Sequence, residues 1–191
     1  MKKLSKKSLL LFAAVLSLSA FAMPSMASAT GWEPVGSTHL LTSADVSFNA
    51  PAVASGSICN HSTFEGHVVS TAVLTITTAT FDGCTGTGTN GTGCTTTAAP
   101  TNLDWRATGL STTNITIDGV NVDVRYSGTC ALNGQTVRVT GALSGGTANN
   151  ATHSVTYSAD VGLTAHSALG SFAATVSGTF RDVQQTLIFA D

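Results

Sequence analysis

From Thr30 onward, apolar and polar residues alternate with a period of two almost throughout, and no stretch carries the 3.6-residue period of a long amphipathic helix. The clearest element is Ile115-Thr-Ile-Asp-Gly-Val-Asn-Val-Asp-Val-Arg-Tyr126. Asp118-Gly119 has the composition of a two-residue type I′ turn, which sets Ile117 opposite Val120 and Ile115 opposite Val122. One face then carries Ile115, Ile117, Val120, Val122, Val124 and Tyr126, and the other Thr116, Asn121, Asp123 and Arg125. Further apolar faces are Val137, Val139 and Leu143, then Val155, Tyr157, Ala159 and Val161, then Phe172, Ala174, Val176 and Phe180. Leu187 and Phe189 close the chain. Turn signals at Ser144-Gly-Gly146, Asn149-Asn150, Gly162 and Gly170 separate them. Short strands spaced by such turns predict an all-β fold, a single antiparallel β-sandwich or open barrel. The runs 83–98 and 144–152 are expected to be loops, being polar and rich in glycine.

The segments 58–69 and 73–84 flank a short turn near Ser70 to Ala72 and predict a second hairpin. Paired positions in an antiparallel hairpin have a constant sum, and Cys59 with Cys84 centres inside that turn. The two thiols then face each other at the hairpin base, within reach of a disulfide. Cys94 and Cys130 are left to pair, so two disulfides are expected to staple the fold. Parity slips between Ile76 and Ala79, which predicts a β-bulge there.

The first residues alter the charge of the working protein. Met1-Lys-Lys-Leu-Ser-Lys-Lys-Ser8 is a basic segment, Leu9 to Ala22 is apolar and uncharged, and Ala27-Ser28-Ala29 presents small residues suited to signal peptidase. Residues 1–29 are expected to be a signal peptide, and 30–191 a β-sandwich domain. The apolar run is shorter than the roughly 20 residues that span a bilayer. All four lysines lie in the leader, so four arginines face ten acids in the remainder, a net charge of −6 against −2 for the whole chain. Such a chain has no basic patch for phosphates, which disfavours nucleic-acid binding. Charged residues make up only 9% of the sequence, far below the roughly 25% of ordinary domains. Four cysteines in an exported chain read as two disulfides.

Candidate chemistry is sparse. Gly86, Gly88 and Gly91 satisfy G-x-G-x-x-G, but the pattern needs a strand before it and a helix after it. Here Thr-Gly-Cys-Thr-Thr-Thr-Ala-Ala-Pro100 follows, a poor helix start, so these glycines are expected in a surface loop with no nucleotide. His61 and His67 share a strand face with Thr63 and Glu65, yet lie roughly 20 Å apart at the usual rise, too far for one ion. With His39, His153 and His166 they are expected to be solvated, since no metal spacing is present. No G-x-S-x-G elbow occurs, and Ser144 is nearest to one in appearance. No catalytic residue, cofactor or metal ligand is expected.

Several short motifs carry a resemblance. Ser47-Phe-Asn-Ala-Pro51 and Cys59-Asn-His-Ser-Thr-Phe-Glu-Gly66 come first, then Ala79-Thr-Phe-Asp-Gly83 and Asn102-Leu-Asp-Trp105. Ile117-Asp-Gly-Val-Asn-Val-Asp-Val124 precedes Gly128-Thr-Cys130, and Thr175-Val-Ser-Gly-Thr-Phe180 lies near the end. In this order they resemble the bacterial protein activator of alkane oxidation (PraB-like) family, with Asp104 where the family has proline. The resemblance implies a small exported protein, not an enzyme, that promotes growth on alkanes or acts at the cell surface. Expected partners are an apolar substrate, a surface or other surface proteins. A structural surface protein, such as an adhesin or biofilm-matrix component, is the second reading and an exported hydrolase the third.

Overall fold

Twelve strands follow one another along the described residues, 31–109 and 111–190 of this computed structural model. The leader expected over 1–29 lies outside the described residues. The strands are β1 (Gly31–Glu33), β2 (Thr38–Ser43), β3 (Val46–Ala50), β4 (Ser55–Ser70), β5 (Val73–Thr87) and β6 (Cys94–Pro100). They continue with β7 (Trp105–Gly109), β8 (Ile115–Gly128), β9 (Thr136–Asn149), β10 (Ser154–Ser167), β11 (Gly170–Asp182) and β12 (Ile188–Ala190). A one-turn helix, α1 (Gly88–Gly91), sits between β5 and β6.

The strand ladder shows an up-and-down ring. β2 and β3 keep one register along β4, with Ser43 against Ser62 and Val46 against Cys59, so they form one stave broken at Ala44 and Asp45. β6 and β7 likewise share the place between β5 and β8, with a break over 101–104. Each stave pairs with the next in the chain, and β11 pairs back onto β2 and β3. The all-β antiparallel fold expected from the alternation is therefore present, and its sheet closes on itself. Two seams are thin. β5 meets β6 at the single pair Thr85–Thr95, and β11 meets the broken stave through Arg181–Thr42, Asp182–Leu41 and the run from Thr175 to Ser177.

Inward positions fill the ring. Phe64 stands at the centre of an aromatic cluster, with ring centroids 4.7 Å from Phe180, 5.6 Å from Phe81 and 6.3 Å from Trp105. The edge-to-face contacts with Phe180 and Phe81 add to the burial that drives the core together. Outward positions carry Thr and Ser in place of charges, as in the Thr63–Thr80 hydroxyl pair at 2.6 Å.

The expected hairpin at Asp118–Gly119 is instead a bulge inside β8. Ile117 pairs with Leu143 and Val120 with Gly141, so two residues oppose Ala142 alone, and Gly119 takes φ +80°. A two-residue turn and a two-for-one bulge flip parity in the same way, so the inward face is as expected while the chain runs straight on. The expected loops are corrected too. Residues 83–98 include the end of β5, α1 and much of β6, with Cys94, Thr96 and Ala98 facing inward. In 144–152 the strand β9 runs on to Asn149, and Gly146 leaves room for Tyr157, whose ring lies 2.6 Å from where a Cβ would stand. Ala159, expected inside, is exposed at φ +56° in a bulge of β10, and the side chain of Val161 lies outside the described ones.

The bulge expected between Ile76 and Ala79 is present, with Thr77 as the extra residue. A second shift leaves Val69 extra on the facing strand, and the two offsets cancel. Cys59 therefore still faces Cys84 and is bonded to it, with Cα atoms 3.9 Å apart. Cys94 is bonded to Cys130, with Cα atoms 5.3 Å apart. Two disulfides point to an oxidising compartment. Among the described residues no helix is long and apolar enough to cross a membrane.

Candidate functional site

The first and last described strands meet at one mouth of the barrel and plug it. β1 and β12 form their own two-stranded sheet, which sets Trp32 opposite Phe189. Their rings meet edge to face with centroids 5.4 Å apart. Two glycines make the fit possible. A Cβ on Gly31 would stand 1.8 Å from the Thr71 carbonyl oxygen, and one on Gly109 would stand 2.2 Å from the Phe189 ring. Trp32 Nε1 donates to the Ala107 carbonyl at 3.1 Å. The Asn150 side chain covers the free edge of β12, accepting from Phe189 N–H at 2.9 Å and donating to its carbonyl at 2.7 Å.

A buried polar chain fastens this plug. His39 points inward from β2 and is 1% exposed, and Asp182 at the end of β11 is 3% exposed. His39 Nδ1 lies 3.2 Å from Asp182 Oδ2, and His39 Nε2 lies 2.5 Å from Ser37 Oγ. The same carboxylate oxygen accepts the N–H groups of Thr186 at 2.9 Å and Leu187 at 2.8 Å, the residues leading into β12. Burial pushes the Asp182 carboxyl up, but the Leu187 and Thr186 N–H groups and His39 outweigh it and hold the group below the usual carboxylate range.

Ser37, His39 and Asp182 stand in the order of a nucleophilic triad. The chemistry also needs donors for an oxyanion. The neighbouring N–H groups are engaged: Gly36 donates to Val68 at 2.8 Å and Ser37 to Pro34 at 3.3 Å. The Ser37 hydroxyl also meets the Pro34 carbonyl. The arrangement is suited to holding three chain segments together.

Behind the plug lies a cavity of about 40 Å³ whose wall includes Trp32, Phe64, Ile115, Tyr157 and Leu187. A separate cleft of about 570 Å³ opens on the outer wall where the first stave is broken at Ala44 and Asp45. Thr42, Ser47, Ser177, Thr179 and Arg181 line it, and Tyr157 forms its floor as well as part of the cavity wall.

The expected residues fall elsewhere. Cys59, Cys84, Cys94 and Cys130 lie toward the opposite mouth of the barrel. The glycines of the G-x-G-x-x-G pattern lie there too, against the backbone of residues 53–56, where Asn90 Nδ2 donates to the Val53 carbonyl at 2.8 Å. His61 and His67 are exposed as expected. His39 is the correction. It alternates correctly with buried Leu41 and Ser43, but its partner Asp182 is 143 positions away in the chain, so no local spacing signals the pair. Asp104 takes φ +72°, which the ring of a proline would forbid.

A family model described as Alkane oxidation protein activator PraA/PraB-like matches residues 1–185. No curated protein and no solved structure matches the chain.

Proposed function

The chain belongs to the alkane oxidation protein activator PraA/PraB-like family, and from that membership we propose that it acts outside the cytoplasm, without catalysis of its own, to promote the use of apolar substrates. The family match over nearly the whole chain carries this reading. Two disulfides, a leader-like first segment over 1–29 and the engaged N–H groups beside Ser37 support it. The working protein is residues 30–191, at the cell surface or released from it. The structural-surface reading ranks second because strand addition lacks a ready site: among the described residues the large sheet closes, and Thr71 and Asn150 cover the edges of the small one.

The test is growth. A strain lacking this chain should grow slowly on hexadecane and normally on acetate, and the wild-type gene should restore it. Fractionation should find the restored protein outside the cytoplasm. Equal growth on hexadecane with and without the chain would overturn the reading.

A further inference from the structure

The stapled mouth is rimmed by four segments, residues 51–56, 88–93, 129–135 and 167–170, and it carries a cup. Val53, Leu132, Val137 and Leu169 give the cup apolar walls, exposed Ala131 stands at its side, and no charged residue lines it. Its volume is about 210 Å³. Sites for small molecules usually run to roughly 300–1,000 Å³, so this one is sized for a protruding side chain.

Such a side chain stands beside it. Leu169, in the turn between β10 and β11, is 73% exposed, the highest value of any large apolar residue among those described. The turn holds it there. Leu169 N–H donates to Ser167 Oγ at 3.1 Å, and that hydroxyl donates to the Gly170 carbonyl at 3.4 Å. The rest of the rim is fixed as well. Asn90 donates from its side chain to the Val53 carbonyl and from its backbone to that of Ala54, Thr129 N–H donates to the Gly93 carbonyl at 3.2 Å, and Cys94 is bonded to Cys130. A rim ordered in advance loses little freedom when it associates.

Charge selects the partner. Four arginines against ten acids leave residues 30–191 with a net charge of −6, which opposes contact between copies wherever acids lie. None of the four rim segments contains Asp, Glu, Lys, Arg or His. Two copies can meet end to end here without setting acid against acid or stripping water from an ion. The rim also carries projection and recess side by side, so a twofold axis between them satisfies both at once. We propose that this mouth is a homodimer face, in which Leu169 of each copy enters the cup of the other. The inference is independent of the alkane reading.

The experiment is sedimentation velocity on the oxidised protein, expressed from the full chain, at concentrations up to about 1 mM. A contact confined to one barrel mouth belongs with the small, weak interfaces, so half-dissociation is expected on the order of 100 μM. Leu169→Ala removes the projection and Ala131→Trp fills the cup, and each should weaken the dimer about tenfold or more. An equimolar mixture of the two variants keeps one contact, Leu169 of the cup-filled variant in the open cup of the other, and should associate more than either alone. Raising NaCl from about 0.05 M to 0.5 M should leave the dimer intact, since no ion pair holds it. Near-ultraviolet circular dichroism checks the fold of both variants, and Leu169→Ala, a change at an exposed position, decides the matter should Ala131→Trp misfold. A protein still monomeric at about 1 mM, or a dimer unweakened by Leu169→Ala, would overturn the face. So would a mixture of folded variants no more associated than its parts, or a dimer lost in salt.

Discussion

At one mouth of the barrel Cys59–Cys84 joins β4 to β5 and Cys94–Cys130 joins β6 to the turn after β8, whereas at the other Trp32, Phe189 and the hydrogen bonds of Asp182 hold β1 and β12 in place. A disulfide acts mainly by restricting the unfolded chain, so its effect is spread over the whole folding equilibrium. The plug is held by contacts that exist only in the folded state, and its two strands have three residues each. Short strands secured in this way open locally at lower free energy than a core. The stapled mouth should therefore report global stability, and the plugged mouth local opening.

Removing a staple should produce the largest change. The bonds close loops with separations of 25 and 36 residues, and replacing either cysteine pair by alanine should cost about 3–4 kcal/mol. Denaturant titration measures this. A global loss well below 1 kcal/mol would mean that the staple does not govern the stability of the whole.

Asp182→Asn keeps the shape of the latch and removes its charge. It should cost about 1–3 kcal/mol, as expected for hydrogen bonds to a charged group. Hydrogen exchange should speed up at residues 31–33 and 188–190 and stay slow around Cys59 and Cys94. Uniform acceleration would erase the contrast between the two mouths. The same contrast has a pH signature. The Asp182 carboxyl lies below its ordinary value of 3.8 in the folded protein. Its contribution is thus complete above that value and is lost as pH falls through the lower folded one. Trp32 emission in a Trp105→Phe variant should shift to the red in that acid window before the barrel unfolds.

Asn150→Ala removes two hydrogen bonds from the backbone of Phe189. It should cost about 1–2 kcal/mol, confined to exchange at 188–190. A comparable loss in global denaturation would show that plug and barrel open together.

Gly88→Ala examines the stapled mouth at a noncovalent contact. Gly88 has φ +73°, and a Cβ there would stand 2.5 Å from the Ala54 carbonyl oxygen. The cost should be on the order of 1 kcal/mol, seen as a lower melting temperature with no change in Trp32 emission. An unchanged melting temperature would mean that the α1 contact is loose.

The alternation of residues by itself determined that the chain is an antiparallel β-protein, because a period of two sorts side chains to opposite faces wherever the strands are placed. It also placed Cys59 across from Cys84 and a bulge between Ile76 and Ala79, since both follow from counting along one hairpin. Ile115 to Tyr126 show where counting stops. Their inward face was legible, but the choice between a turn and a bulge at Asp118–Gly119 belongs to β7 and β9, which pair along β8 on either side. Much of the Thr- and Gly-rich runs 83–98 and 144–152 became strand because the ring supplied ladder partners to backbone that would otherwise need water. The His39–Asp182 latch and the Trp32–Phe189 plug were beyond local pattern altogether. Each joins residues far apart in the chain, and only closure of the barrel brings them within contact distance.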